Sequence, residues 1–229
     1  MDLDGARVVV AGATGELGGA LVSALIDKGA RVVPGGRDEE QLSALGEQCG
    51  TEPVRFDAVD VESCREAMDA AAGQLDGLDA IVVTVGCAGF GKALDTDAAV
   101  TEELFAVNTL APISLVRAAA PHLSDDGTVA VFSAILADMP TNGMADYSAA
   151  KSALSVWLQV LRRENRKKLR VLDIRPPHLD TGLEQRAMGA EPPKMPKPME
   201  ASKVVDQVIE ALAGDAMEIK MSDGELTTS

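Results

Sequence analysis

The chain has 229 residues, a length that predicts a single domain over 1–229 with room for a buried apolar core. Its 36 acidic and 21 basic side chains give a formal charge of −15, which argues against nucleic acid and anionic membranes as partners. The first residues lack a basic and apolar leader, and no stretch is expected to reach the ~18 apolar residues of a membrane span. The three cysteines have no metal or disulfide spacing and predict a cytoplasmic location.

Short apolar runs alternate with amphipathic segments along the whole chain. Runs such as 80–83 and 129–132 are apolar throughout, which is typical of parallel strands buried on both faces. The alternation predicts an α/β fold, with helices on both sides of a doubly wound parallel sheet of about seven strands. Strands are predicted near 7–11, 30–34, 53–57, 79–85, 127–133, 169–175 and 216–220, and helices near 16–28, 38–48, 61–74, 98–121, 146–167 and 200–213.

A glycine-rich turn follows the first predicted strand. Gly12, Gly15 and Gly18 allow a tight turn, close approach of a ligand and close packing of helix on strand. A strand, such a turn and a helix in that order present backbone N–H groups that bind the pyrophosphate of a dinucleotide. The alternative is a plain turn between strand and helix that is rich in glycine. The predicted cofactor contacts in this turn are Gly12, Thr14, Gly15, Glu16, Leu17 and Gly18.

The end of the second predicted strand bears on which dinucleotide is bound. A ribose with free hydroxyls is usually held by a carboxylate at this point, whereas a 2′-phosphate requires a cation. No carboxylate precedes Arg37 here, and its planar guanidinium suits a phosphate, so the sequence favours NADP over NAD. Two alternatives stay open: Arg37 is a solvated loop charge, or the neighbouring Asp38 caps the next helix or binds the ribose itself.

Tyr147 and Lys151 lie four residues apart in a long predicted helix. Residues at this spacing share one helix face, so the ammonium of Lys151 is expected beneath the phenol of Tyr147. A nearby cation favours the phenolate and is expected to lower the pKa of the phenol from its usual ~10. Such a tyrosine exchanges a proton with an alcohol or carbonyl oxygen. The pair predicts Tyr147 as a general acid and base, supported by Lys151.

These motifs, together with Asn108, resemble the short-chain dehydrogenase/reductase superfamily over nearly the whole chain. The resemblance implies a single-domain Rossmann fold, hydride transfer between a nicotinamide cofactor and a carbonyl or alcohol substrate, and a homodimer or homotetramer. It also implies that Asn108 is a catalytic residue at a helix kink, for which Pro112 offers a cause because it removes a backbone N–H. The implied cofactor contacts, besides those in the glycine turn and Arg37, are Asp57, Gly86, Tyr147, Lys151, Pro176 and Thr181.

The chain departs from the superfamily pattern at three places. Its turn spaces the glycines as G-x-x-G-x-x-G, and the run 83–86 replaces an Asn-Asn-Ala-Gly motif. At the end of the fifth strand, Ser133 aligns with the first of two serines and Ala134 with the catalytic second. Adjacent strand residues face opposite sides, so Ser133, a candidate catalytic residue, reaches the site only if the strand end is irregular.

The segment 176–199, rich in proline and methionine, has two interpretations. It is either a flexible flap over the substrate pocket or a plain surface excursion between a strand and a helix.

Three functions follow from the sequence as a whole. The leading one is an NAD(P)-dependent oxidoreductase acting on a small apolar carbonyl or alcohol. A catalytically weak NADP(H)-binding sensor or scaffold is favoured by Ala134, and a lyase or epimerase with a tightly held cofactor is the third.

Overall fold

A computed structural model describes residues 1–229, in which strands and helices alternate as expected. The strands are β1 (Arg7–Ala11), β2 (Arg31–Gly36), β3 (Val54–Arg55), β4 (Leu78–Val83), β5 (Gly89–Phe90), β6 (Leu123–Phe132), β7 (Leu169–Ile174), β8 (Met188–Gly189), β9 (Glu218–Ser222) and β10 (Glu225–Thr228). The helices are α1 (Glu16–Asp27), α2 (Glu39–Cys49), α3 (Val61–Leu75), α4 (Ala98–Phe105), α5 (Ala111–Ala119), α6 (Ala145–Asn165) and α7 (Ala201–Ala213).

Eight strands form one sheet in the order β10-β9-β7-β6-β4-β1-β2-β3. Every neighbouring pair is parallel except β10, which returns antiparallel beside β9. The expected count of about seven strands misses β10, which follows a turn with positive φ at Asp223 and Gly224. Its sequence, Glu-Leu-Thr-Thr, is mostly polar because it lies at the sheet edge, so no apolar run marks it.

Apolar layers cover both faces of the sheet. On one face α1 and α7 pack their leucines and valines on β1, β2 and β7. On the other face α3, α5 and α6 bury residues such as Leu75, Leu115 and Leu154 against β1, β4 and β6. The predicted α/β fold with helices on both sides is therefore confirmed, and the carboxyl ends of the parallel strands meet at one edge. Ligands of such folds bind at that edge.

One helical stretch, Ala98–His122, is long and apolar enough by composition to cross a membrane, with a mean hydropathy of 1.3. The expectation that no stretch would reach this length is therefore wrong. Half of its most apolar window is buried inside the protein, and Leu104, Leu115 and Val116 are core residues. A buried core helix has this composition for the same reason as a membrane helix, since both are surrounded by apolar groups.

Candidate active site

The glycine turn joins β1 to α1 and is held against the end of β4. Gly12 has a φ of 98°, and a Cβ there would lie 2.5 Å from Oγ1 of Thr84, whose hydroxyl donates to the Gly12 carbonyl at 3.0 Å. A Cβ on Gly18 would lie 2.2 Å from that same carbonyl oxygen. The helix begins at Glu16 after Gly15, which has no side chain to cap it, so the first N–H groups are left for a ligand. The tight turn and the uncapped helix end fit the pyrophosphate of a dinucleotide.

Three other predicted contacts lie in or beside this turn. Thr14 packs on the end of β2, where a Cβ on Gly36 would lie 2.8 Å from the Thr14 hydroxyl oxygen. Leu17 packs against the apolar core, and the Glu16 side chain is exposed. Leu17 therefore offers a ligand its backbone N–H, while its side chain serves the fold.

A cavity of about 230 Å³ lies beyond the carboxyl ends of β2 and β3. Two arginines line it, and the Arg55 Nε lies 3.4 Å from the Arg37 carbonyl oxygen. The Arg55 Nε also lies 3.9 Å from Oε1 of Glu39, an exposed pair that restrains Arg55 only weakly. The lining residues are Arg37, Arg55, Phe56, Asp57 and Ser63.

Arg55 was missed by the sequence analysis. Strands β2 and β3 pair in parallel with Gly36 beside Arg55, and this register brings the Arg55 side chain next to Arg37. The only signal in the sequence is a basic residue two positions before Asp57, and its meaning depends on a strand pairing that one sequence does not specify.

Two aspartates near this cavity have defined structural tasks. Asp38 caps α2, since its carboxylate accepts a hydrogen bond from the Gln41 N–H at 3.0 Å, which is one of the two roles left open for it. Asp57 accepts from the Val59 N–H at 3.1 Å, and its own N–H donates to the Ser63 hydroxyl at 3.0 Å. Asp57 thus orders the turn that forms the floor of the cavity.

Asn108 lies at a break in the helix, as the resemblance implied. Residues 106–110 form a π-helical turn between α4 and α5, just before Pro112. The carboxamide of Asn108 is buried and clamps Cys87, accepting from its N–H at 3.1 Å and donating to its carbonyl at 3.0 Å. Gly86 sits between two functional groups, because a Cβ there would lie 3.1 Å from Asn108 Oδ1 and 3.4 Å from Lys151 Nζ.

Tyr147 and Lys151 both lie on α6 and are buried. Lys151 Nζ donates to the Phe132 carbonyl at 3.0 Å. Burial lowers the pKa of Lys151 to about 8, while Cys87 and Asp173 act to raise it. The pKa of Tyr147 lies well above its usual range, because burial disfavours the phenolate and Cys87 adds to the effect. The expected lowering by Lys151 is therefore wrong for the protein alone, since burial sets the direction of the shift and Lys151 is not among its causes.

Ser133 and Ala134 face opposite sides at the end of β6. The Ser133 hydroxyl donates to the buried carboxylate of Asp173 at 2.5 Å. Ala134 instead belongs to an apolar cluster with Tyr147, whose other members are Ala88, Phe90, Leu104 and Met144. Ser133 was expected to reach the site only through an irregular strand end, and its hydroxyl is committed to Asp173 instead.

The segment 176–199 packs over this cluster. Its short strand β8 pairs in parallel with β5, and its side chains Leu183, Ala187, Met188 and Met195 pack against the cluster around Tyr147. At its start the Pro176 carbonyl accepts from the Ile135 N–H at 3.0 Å, and the N–H of Thr181 donates to the Leu179 carbonyl. Of the two interpretations, the segment's position corresponds to a cover over Tyr147.

Known proteins resemble this chain in sequence and in fold. The family model for short chain dehydrogenase matches residues 6–191. A cyclic-di-GMP-binding biofilm dispersal mediator protein of Escherichia coli is 30% identical over 164 residues, covering 70% of this chain and 67% of that protein. An uncharacterized oxidoreductase of Staphylococcus epidermidis is 26% identical over 210 residues, covering 89% of each.

A solved structure extends the likeness to the fold. A short chain dehydrogenase from Burkholderia cenocepacia in complex with NADP superposes with a TM-score of 0.82 at 29% identity. The match covers 97% of this chain and 90% of that one. It therefore includes both the glycine turn and the residues around Tyr147.

Proposed function

The chain belongs to the short-chain dehydrogenase family, and on this premise we propose that it is an NADP(H)-dependent oxidoreductase that interconverts a small apolar carbonyl compound and its alcohol. The observation that carries the proposal is the convergence at Gly86, which both the Asn108 carboxamide and the Lys151 ammonium approach. Tyr147 lies one helical turn before Lys151. The glycine turn that would hold the cofactor pyrophosphate lies at the same edge of the sheet, joined to the end of β4 through Thr84.

In the direction of reduction, Tyr147 donates its hydroxyl proton to the carbonyl oxygen of the substrate. NADPH, when bound, supplies the hydride that the carbonyl carbon accepts, so the product is the alcohol. The raised pKa supports this role, since it keeps the phenol protonated at neutral pH. The Lys151 ammonium also stays largely protonated at neutral pH, because its pKa is about 8. We assign Lys151 to hold the cofactor ribose and return a proton to Tyr147, with Asn108 holding a water on that route.

The surroundings of Tyr147 support an apolar substrate. The side chains that pack with it in this cluster are apolar, and so are the four that pack against the cluster from the segment 176–199. We propose that this segment is a flap that opens to admit the substrate. Turnover with apolar ketones and aldehydes, and none with carboxylated ones of similar size, would support this assignment.

The cavity with two arginines supports NADP as the cofactor, and so does the bound NADP of the Burkholderia relative. We expect the protein to bind NADP(H) at least about tenfold more tightly than NAD(H), because a guanidinium pair forms charge-assisted hydrogen bonds with a phosphate. The variant Arg37→Ala/Arg55→Ala should weaken NADPH binding by about 10–100-fold and change NADH binding little. Calorimetry with both cofactors measures these effects.

Arg31→Ala is the matched control, since this exposed arginine lies at the other end of β2. It removes one positive charge, against two in the double variant, and should leave the ratio of the two affinities unchanged. Equal affinity of the wild type for NADPH and NADH would contradict the assignment. So would a preference for NADPH that survives in the double variant.

A second candidate function is binding of NADP(H) with little turnover, as a sensor or scaffold. It is favoured by the position of Ala134, because the substrate oxygen then has one hydroxyl donor, Tyr147. The name of the Escherichia coli relative, a dispersal mediator, points the same way. Tight NADPH binding without oxidation by a broad carbonyl panel would favour this candidate.

We propose a homodimer or homotetramer that associates through α5 and α6. Val156 and Val160 are one turn apart on α6, and their side chains remain 58% and 44% exposed. Leu110, which ends the π-helical turn before α5, is 59% exposed. Val156→Glu should convert the oligomer to a monomer by light scattering at micromolar concentration. Leu94→Glu, at a fully exposed side chain outside this surface, should not. A monomeric wild type would contradict the proposal.

The cysteines support a cytoplasmic location. Cys49, Cys64 and Cys87 are all free thiols, and burial raises the pKa of each to about 11. Neutral, unpaired thiols are typical of proteins in a reducing compartment.

A further inference from the structure

Arg175, directly after β7, joins three carboxylates from different parts of the fold. Its side chain is 6% exposed, and its Nε donates to Asp173 at 2.9 Å. Its Nη1 donates to both carboxylate oxygens of Asp138, at 3.1 and 2.8 Å, and its Nη2 donates to Glu218 at 2.9 Å. Each nitrogen of the guanidinium therefore has a carboxylate partner. These four residues are called the Arg175 network below.

The inner part of the network is fully enclosed. Asp173 has no exposed surface and accepts two further hydrogen bonds, from the hydroxyls of Ser133 and Ser155. Buried charges are stable only when they are paired, so the Arg175–Asp173 pair cannot be broken without a large cost to folding. Asp138 differs, because its side chain is 47% exposed. It is the member that can be changed without leaving a buried charge alone.

Asp138 is also the last residue of the turn 134–138, which lies against the apolar cluster around Tyr147. After β6 the chain forms a short 3-10 turn over 135–137, closed by hydrogen bonds from the N–H groups of Ala137 and Asp138 to the carbonyls three residues earlier. Ala134 and Leu136 of this turn pack against the cluster around Tyr147. The side chain of Asp138 bonds to Arg175, which the sheet holds through its own N–H and the Ile219 carbonyl at 2.7 Å. The turn is thus held at three points: the Ile135 N–H donates to the Pro176 carbonyl at 3.0 Å, the Ser152 hydroxyl of α6 donates to the Ala137 carbonyl at 3.1 Å, and Asp138 at its end pairs with Arg175.

We propose that Arg175 and Asp138 are positioning residues for the substrate: their ion pair fixes the Asp138 end of the 134–138 turn, which lines the cluster around Tyr147. This inference rests on the proposed function, because it assigns the turn to the substrate side of the site. The pair touches neither the glycine turn nor the cavity with two arginines, so its main effect is expected on the substrate. Neither residue has a hydrogen bond to Tyr147 or Lys151.

The test is Asp138→Asn in the full-length protein. Loss of the ion pair should raise KM for the carbonyl substrate about tenfold, since misplacement of a supporting element weakens substrate alignment. The kcat at saturation and the Kd for NADPH should stay close to wild type. Hydrogen exchange gives a readout without turnover: the amides of Ala137, Asp138 and Met139 should exchange faster in Asp138→Asn, while those of Val129–Val131 in β6 should not.

Arg162→Gln is the matched control, because Arg162 reaches Glu218 at 3.4 Å at the outer side of the network and does not contact the turn. It should leave both KM and the exchange of the turn unchanged. Unchanged exchange in Asp138→Asn would overturn the proposal, and so would faster exchange with an unchanged KM. If the wild type reduces no carbonyl compound, the proposed function fails, and the exchange measurement still decides whether the ion pair holds the turn.

Discussion

Tyr147→Phe is expected to lower kcat for carbonyl reduction by about 10²–10⁴-fold, the usual contribution of a general acid. The substitution removes one hydroxyl and keeps the aromatic ring that packs with Phe90, Leu104 and Met144. The fold should therefore persist, with an unchanged melting temperature. The Kd for NADPH should change by at most about tenfold, the equivalent of one hydrogen bond. Steady-state oxidation of NADPH measures kcat, and calorimetry measures the Kd.

The chain has one tyrosine, so no second phenol can substitute for Tyr147. A variant that retains a third or more of the wild-type kcat would show that the proton comes from another group. Cys87 is the alternative donor to test, because its thiol influences the pKa of both Tyr147 and Lys151. Cys87→Ala in the Tyr147→Phe background would then identify it.

Ala134→Ser is expected to raise kcat by about 10²-fold, because it adds a second hydroxyl donor beside the substrate oxygen, and loss of one such donor typically lowers turnover by ~10²–10³. Ala134 faces the Tyr147 cluster, where the added hydroxyl would lie on the substrate side. Ser133→Ala should leave kcat within about threefold, because its hydroxyl bonds to Asp173 on the opposite side of the strand end.

The two variants together determine the register of the strand end. If Ser133→Ala lowers kcat as far as Tyr147→Phe, the strand end must bend in the working enzyme to present Ser133. If Ala134→Ser leaves kcat unchanged and wild type is slow, position 134 does not face the substrate oxygen. Ser133→Ala is also expected to lower stability, since Asp173 would lose one of its hydrogen bonds.

Local patterns predicted the backbone geometry around the candidate site. The three glycines, and the four-residue spacing of Tyr147 and Lys151, depend only on neighbours along the chain, and the fold places them as such patterns require. The helix break at Asn108 was also predictable, because Pro112 cannot donate the hydrogen bond that would continue the helix. In each case the physical cause lies within about five residues.

Features that depend on partners distant in sequence were not predictable. Arg55 gains its place beside Arg37 only through the pairing of β2 with β3. The Ser133 hydroxyl points away from the Tyr147 cluster because it donates a hydrogen bond to Asp173, forty residues later in the chain. The direction of the Tyr147 pKa shift depends on how fully the segment 176–199 and the apolar cluster desolvate the phenol, and the spacing of two residues on a helix carries no information on that burial.

The central claim, transfer of hydride from NADPH to a carbonyl substrate, is tested most directly by isotope transfer. Wild-type protein is incubated with NADPH that carries deuterium at both hydrogen positions of C4 of the nicotinamide and with a panel of apolar ketones and aldehydes, and the products are analysed by mass spectrometry. We predict an alcohol with one deuterium on the former carbonyl carbon, formed by wild type and lost in Tyr147→Phe. Tight binding of NADPH with no deuterated alcohol from any member of the panel would contradict the account.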